Sequence, residues 1–209
     1  MLSISCGEKK NWLYHLIKYK FIRVPWGKQA FVLKLPEKAR ILDVGCGNNS
    51  PLGTKKWRPD IEYYGIDVGD YNNSEESLKH ADRYMIAAPS EFAETIRSIE
   101  VKFDAVISNH NIEHCNQPVE TLRAVCAVLK QGGKLYLAFP CEKSVSFPSR
   151  KGTLNFYDDP THIWLPSYKD VLKILKKNNM KIIFARQQYK PVYSWLWGGG
   201  IGESQQKNE

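Results

Sequence analysis

The spacing of apolar positions changes at Ala39. Upstream, Trp12, Leu13, Leu16 and Ile17 recur at helical spacing, with Lys9, Lys10, Lys18 and Lys20 beside them. Downstream, short β-prone runs alternate with helical stretches. The runs 40–46 (RILDVGC), 61–68 (IEYYGIDV), 81–87 (ADRYMIA), 103–110 (FDAVISNH), 134–140 (KLYLAFP) and 181–189 (KIIFARQQY) read as strands. Segments 90–99, 117–133 and 167–180 read as helices. Ser90 suits the N-cap of the first. Pro118 opens the second and Gly132-Gly133 stops it. Val171, Leu172, Ile174 and Leu175 give the third an apolar face. Such alternation implies an α/β fold with a mostly parallel, doubly wound sheet. The chain divides into an aromatic and basic extension (1–38) that can act as a lid, a domain over 39–190, and a Gly-rich, then polar tail (191–209).

Bulk properties narrow the class. The 209 residues are 43% hydrophobic and 25% charged, as in a soluble globular domain. No apolar run approaches the roughly 18–20 residues that span a bilayer. The start lacks the apolar stretch and cleavage site of a signal peptide, so a cytoplasmic location is expected. Five scattered cysteines form no C-x-x-C and imply neither a disulfide framework nor a cysteine-rich metal site. The formal net charge of +8 favours anionic partners. The lysines and arginines are nevertheless spread in pairs, which argues for solubility over nucleic-acid binding. Residues 9–26 form the one stretch suited to peripheral membrane contact. Nothing fixes an oligomeric state.

In a doubly wound sheet, ligands bind beyond the carboxyl ends of the strands. Here those ends read GCGNN, IDVGD, IAAPS and SNHNIEH. Gly45 and Gly47 let a ligand lie against the backbone. A dinucleotide fingerprint would need a glycine at position 50, which is Ser50, so the match is poor. Asp43, at the end of the first strand, repels a pyrophosphate and suits a cationic or hydrogen-donating group. Asp67, ending the second strand, can accept hydrogen bonds from ribose hydroxyls. A nucleoside without phosphates and with a cationic amino-acid tail meets these constraints, as S-adenosylmethionine does.

Four blocks, ILDVGCGNN, YYGIDV, FDAVISNHNIEH and TLRAVCAVLKQGGKLYLAFP, make the chain resemble a class I S-adenosylmethionine-dependent methyltransferase of the type 11 group. The resemblance implies a Rossmann-like, seven-stranded sheet whose last strand is antiparallel. It also implies that Gly45, Cys46, Gly47 and Val68 line the cofactor, that Asp43 lies near its amino-acid moiety, and that Asp67 holds the ribose. Ser108, Asn109 and His110 would face the methionine part. Asn49 stands where a third glycine is common.

The stretch Asn109–His114 (NHNIEH) carries H-x-x-E-H. As a cofactor-side wall it requires no metal, and none is expected. His110 or His114 can serve as a general base near neutral pH. The same spacing can also build a metal site, with His162 of DDPTHIW as a further ligand or base. The reading that follows is methyl transfer from S-adenosylmethionine, most simply to a hydroxyl of a small molecule, a sugar or a lipid-linked precursor. The alternatives are an RNA methyltransferase, metal-assisted or not, and a non-catalytic methyltransferase-like binding domain.

Overall fold

The computed structural model describes residues 27–147, 149 and 155–186. The helix expected near Trp12–Ile17, the membrane-facing stretch 9–26 and the tail 191–209 lie outside the described residues. Five strands form one sheet: β1 (Arg40–Val44), β2 (Glu62–Asp67), β3 (Arg83–Ile86), β4 (Phe103–Asn109) and β5 (Leu129–Ala138). Their spatial order is β3-β2-β1-β4-β5 and every pairing is parallel. The helices are α1 (Gly27–Leu33), α2 (Ser50–Trp57), α3 (Glu75–Lys79), α4 (Phe92–Arg97), α5 (Pro118–Ala127) and α6 (Tyr168–Lys177). This is the Rossmann-like arrangement. Strand order reverses between β1 and β4, so the loops after these two strands face each other across the ligand crevice.

Both faces of the central strands are covered, which is why β1 and β4 read as nearly continuous apolar runs. Side chains alternate between two cores. Leu42, Val44, Val106 and Phe103 pack with Phe92, Ile96, Ala124 and Val125 of α4 and α5. Ile41, Tyr63, Ala105 and Ile107 pack with Val32 and Leu35, in and just after α1. Burying Val32 and Leu35 stabilises this face by about 1.5–3 kcal/mol each. Arg58 closes the same corner. Its guanidinium donates to the carbonyls of Val32, Leu35 and Pro36 at 3.2, 3.0 and 2.9 Å and to the Asp60 carboxylate. The carbonyls freed where α1 ends thus find a cationic partner.

The structure corrects several expectations. The described residues form five strands, all parallel; a seven-stranded sheet with an antiparallel last strand is not seen among them. Of the strand expected over 181–189, residues 181–186 pair with nothing in the sheet, with Ile183 and Phe184 exposed, and residues 187–189 lie outside the described residues. An apolar run becomes a strand only where its backbone finds a ladder, and these residues do not meet the free edge of β5. Ser90 does not cap α4: the helix starts at Phe92, after Glu91, without a side-chain cap. The helix expected to reach Gly133 stops at Ala127, because Leu129 already pairs with Phe103. Gly132, at φ 77°, absorbs the register shift that follows. Ser167 does cap α6, its hydroxyl accepting the amide of Asp170. Among the described residues no helix is long and apolar enough to cross a membrane.

Candidate functional site

The loop between β1 and α2 turns through three left-handed residues: Gly45 at φ 74°, and Asn48 and Asn49 at φ 55°. Asparagine tolerates this conformation better than most residues, so the turn survives without a third glycine. Asn49 also fixes the neighbouring loop, its Oδ1 accepting from the amide and hydroxyl of Ser74 at 2.8 and 3.0 Å. Gly45 and Gly47 are needed for space as well. A Cβ on Gly45 would lie 2.5–2.7 Å from the Asn111 side chain, and one on Gly47 would lie 2.7 Å from the Tyr71 carbonyl. Cys46 points into the core beside Gly65, and burial pushes its thiol pKa up. Only its backbone can face a ligand.

Asp43 is 1% exposed, on the sheet face covered by α1. Its Oδ2 accepts from Lys28 Nζ at 2.6 Å, the Ser50 hydroxyl at 2.6 Å and the Tyr63 phenol at 2.5 Å. The cation its charge calls for is therefore supplied first by the chain itself. Burial, then the Asp43 charge, lifts the Tyr63 phenol well above its usual range. Asp67 ends β2 with its carboxylate 8% exposed, and its Oδ1 accepts the amide of Val68 at 2.7 Å. Burial raises its pKa, opposed by backbone amides including that of Gly47. Val68 and Ile86, at the ends of β2 and β3, are exposed apolar side chains on this ligand side.

At the end of β4, Ser108 is buried and its hydroxyl has no partner among the described residues. Asn109 is half-buried. His110 is exposed, adopts φ 54°, and places Nδ1 3.2 Å from Glu113 Oε1. Glu113 is fully buried, and its Oε2 has no partner among the described residues. The Glu113 carbonyl accepts the amides of Ile163 and Trp164 at 3.0 and 3.1 Å, which draws the segment before α6 onto the end of β4. His162 is thereby brought to His114. Each ring directs Nδ1 at a backbone carbonyl, His162 to Phe156 at 2.6 Å and His114 to Thr161 at 3.2 Å. A carbonyl only accepts, so His162 Nδ1 carries the proton in the neutral ring, with Nε2 3.8 Å from the Asp159 carboxylate, while His114 Nδ1 also meets the Thr161 hydroxyl at 2.9 Å.

The ligating atoms of Glu113, His114 and His162 all lie within 4.8 Å of one another. Two imidazole rings and a buried carboxylate, one oxygen of which has no donor among the described residues, are a donor set that fits a divalent ion. His110, the first residue of the H-x-x-E-H pattern, is not in that trio and instead hydrogen-bonds Glu113. The fold thus gathers His114 and His162, the loop Gly45–Gly47, and the end of β4 around the switch point. Sequence reasoning missed Lys28, Ser50, Tyr63 and Asn111. The available signal was period-two alternation, which puts Asp43 and Tyr63 on one sheet face.

The chain matches a family model described as a methyltransferase domain over residues 18–184. Among curated proteins it is similar to the ubiquinone biosynthesis O-methyltransferase of Xanthomonas axonopodis pv. citri, 31% identical over 110 residues. That match covers 49% of this chain and 44% of the relative. The mitochondrial ubiquinone biosynthesis O-methyltransferase of Homo sapiens is 25% identical over 203 residues, covering 84% of this chain and 53% of the relative. The chain therefore spans about half the length of the curated relatives it matches. Its fold resembles that of a SAM-dependent methyltransferase from Archaeoglobus fulgidus, with TM-score 0.50 and 21% identity over 81% of this chain and 75% of that one. It also resembles an O-methyltransferase family protein from Burkholderia thailandensis, with TM-score 0.57 and 12% identity over 77% of this chain and 52% of that one. With the glycine loop, the acid ending β2 and the histidines after β4 converging at one switch point, the chain belongs to the methyltransferase domain family, with the class I methyltransferase fold.

Proposed function

We propose that the chain transfers a methyl group from S-adenosylmethionine to a hydroxyl of a small-molecule acceptor, a sugar or a lipid-linked precursor among the candidates. The observation that carries this reading is the placement of Gly45, Gly47 and Asp67 on one side of the switch point, with His114 and His162 on the other. The curated relatives named above, both O-methyltransferases, support oxygen as the acceptor atom.

S-adenosylmethionine supplies a methyl carbon activated by its sulfonium. The chain's residues do the rest. Asp67 holds the ribose hydroxyls, Val68 contacts the adenine side, and the Gly45–Gly47 backbone lets the aminoacyl end approach. Ser108 to His110 line the methionyl part. The acceptor oxygen must lie in line with the methyl carbon, so positioning supplies much of the rate. An imidazole nitrogen of His114 or His162 takes the hydroxyl proton as the carbon–oxygen bond forms, the methyl carbon–sulfur bond breaking with its electron pair on sulfur so that S-adenosylhomocysteine leaves as a neutral thioether.

A thermal-shift titration with S-adenosylmethionine tests the cofactor site. Stabilisation that Asp67→Ala abolishes is expected. A flat response at saturating cofactor would sink the reading.

The Glu113–His114–His162 trio favours a second reading, in which a divalent ion assists. These three residues would hold it, and an ion there would lower the pKa of a bound hydroxyl. Metal-stripped protein titrated with Mn²⁺ or Zn²⁺ should then gain thermal stability. Equal response in wild type and His162→Ala would remove the metal from the mechanism.

A further inference from the structure

His114 Nδ1 meets Thr161 twice, at its hydroxyl (2.9 Å) and at its carbonyl (3.2 Å). The same hydroxyl lies 2.6 Å from Asp159 Oδ1, which also accepts the Thr161 amide at 2.9 Å. Asp159, Thr161 and His114 thus form a chain of hydrogen bonds, and the direction of that chain follows from counting protons. A carboxylate at neutral pH only accepts. The Thr161 hydroxyl has one proton and gives it to Asp159, so towards His114 its oxygen can only accept. The Thr161 carbonyl imposes the same condition. Nδ1 of the neutral His114 ring therefore carries the proton, and Nε2 keeps its lone pair. The other Asp159 oxygen lies 3.8 Å from His162 Nε2, so one carboxylate stands beside both rings.

We propose that Asp159, acting through the Thr161 hydroxyl, is a positioning residue that holds His114 in the tautomer able to take a proton at Nε2. This rests on the reading of His114 as a base for methyl transfer. In the opposite tautomer Nε2 would present an N–H to the acceptor hydroxyl and could not receive its proton. A hydroxyl by itself can either donate to an imidazole nitrogen or accept from it. The carboxylate removes that choice, because hydrogen bonds to an ionised group are the stronger kind. The competing role is purely structural, with Asp159 only closing the turn over 159–161 by accepting the Thr161 amide.

The two roles differ in what they do to the His114 tautomer, which the nitrogen chemical shifts of its ring report. Spectra of the full chain at mildly alkaline pH, where a free imidazole is neutral, would compare wild type with four variants. Wild type should show the proton on Nδ1. The Asp159 side chain is 47% exposed, so its replacement spares the core. Asp159→Ala frees the hydroxyl to donate to Nδ1, and the ratio of Nδ1–H to Nε2–H should fall by about two- to tenfold, the weight of one hydrogen bond. Thr161→Val, which has no hydroxyl, should lower the ratio similarly. Asp159→Asn keeps an oxygen acceptor and Thr161→Ser keeps a hydroxyl, so both should stay near wild type. A wild type dominated by Nε2–H would overturn the proposal without any variant. So would an unchanged ratio in Asp159→Ala or in Thr161→Val, or a fall in Thr161→Ser as large as in Thr161→Val, each of which leaves Asp159 only the structural role. The expected tautomers together with a flat thermal response to S-adenosylmethionine would instead strike the methyl-transfer reading.

Discussion

The rings of His114 and His162 stand with centroids 4.7 Å apart and tilted 50°, one following β4 and the other preceding α6. His162 is held through Nδ1 by the Phe156 carbonyl and His114 through Nδ1 by Thr161, and each has a ligating atom within 4.8 Å of the other's and of Glu113's. His110 is tied to Glu113 instead. His114→Ala or His162→Ala should therefore lower kcat by about 10²–10⁴-fold where that ring is the base. His110→Ala should retain most of the turnover. Steady-state rates at saturating S-adenosylmethionine decide the ranking, and a His110 variant as damaged as the other two would contradict it.

Glu113 keeps a fully buried carboxylate oxygen with no donor among the described residues. Such an orphaned acceptor costs about 1–3 kcal/mol. Glu113→Gln should thus raise the melting temperature of metal-free protein. It should also remove any stabilisation by Mn²⁺. A fall in melting temperature without metal would mean that the charge is already satisfied.

Gly45 combines a left-handed φ of 74° with the close approach of Asn111. Gly45→Ala should destabilise the fold by about 1–2 kcal/mol from the backbone alone, with a steric cost added. Asn111→Gly in the same chain, which also removes the Cβ that would stand 2.6 Å from the new methyl, should relieve the steric part and leave the conformational part. Urea unfolding of the two variants separates them.

Burial raises the carboxyl pKa of Asp67 above its reference value of 3.8. The folded chain therefore binds this proton more tightly than the unfolded chain does. The contribution to stability is fullest below 3.8 and is lost as pH rises towards the folded value, leaving a penalty at neutral pH. Asp67→Asn should stabilise the cofactor-free protein at neutral pH, with the gain vanishing in acid. It should also weaken S-adenosylmethionine binding, because the ribose loses a charged acceptor. Unfolding curves across pH, with and without cofactor, check both halves.

Much of this site was legible because its signals are local. D-x-G-x-G closing the first apolar run, the acid closing the next, and N-H-N-I-E-H closing the fourth all place residues by strand position, and alternation implies a parallel, doubly wound sheet. Lys28 was not legible, since its partner Asp43 is reached only when α1 folds back on the sheet. Asn111 escaped for the same reason: its packing on Gly45 crosses from β4 to β1. The trio of donors needed the Glu113 carbonyl to capture Ile163 and Trp164, a contact between backbone groups that no side-chain pattern announces. Residues 181–186 failed the other way. Their composition is strand-like, but a strand depends on a neighbour's backbone and not on composition alone.

The Arg58 corner bears on where the chain can be cut. A version trimmed to begin at Ala39 would keep all five strands of the sheet. It would lose the three carbonyls that the guanidinium gathers, the Val32 and Leu35 side chains that cover Ile41 and Tyr63, and the Lys28 cation on Asp43 Oδ2. Such a fragment should be sticky and prone to precipitate, with bare apolar surface beside an unneutralised buried acid. The practical starting point for a minimal recombinant form is therefore upstream of Gly27.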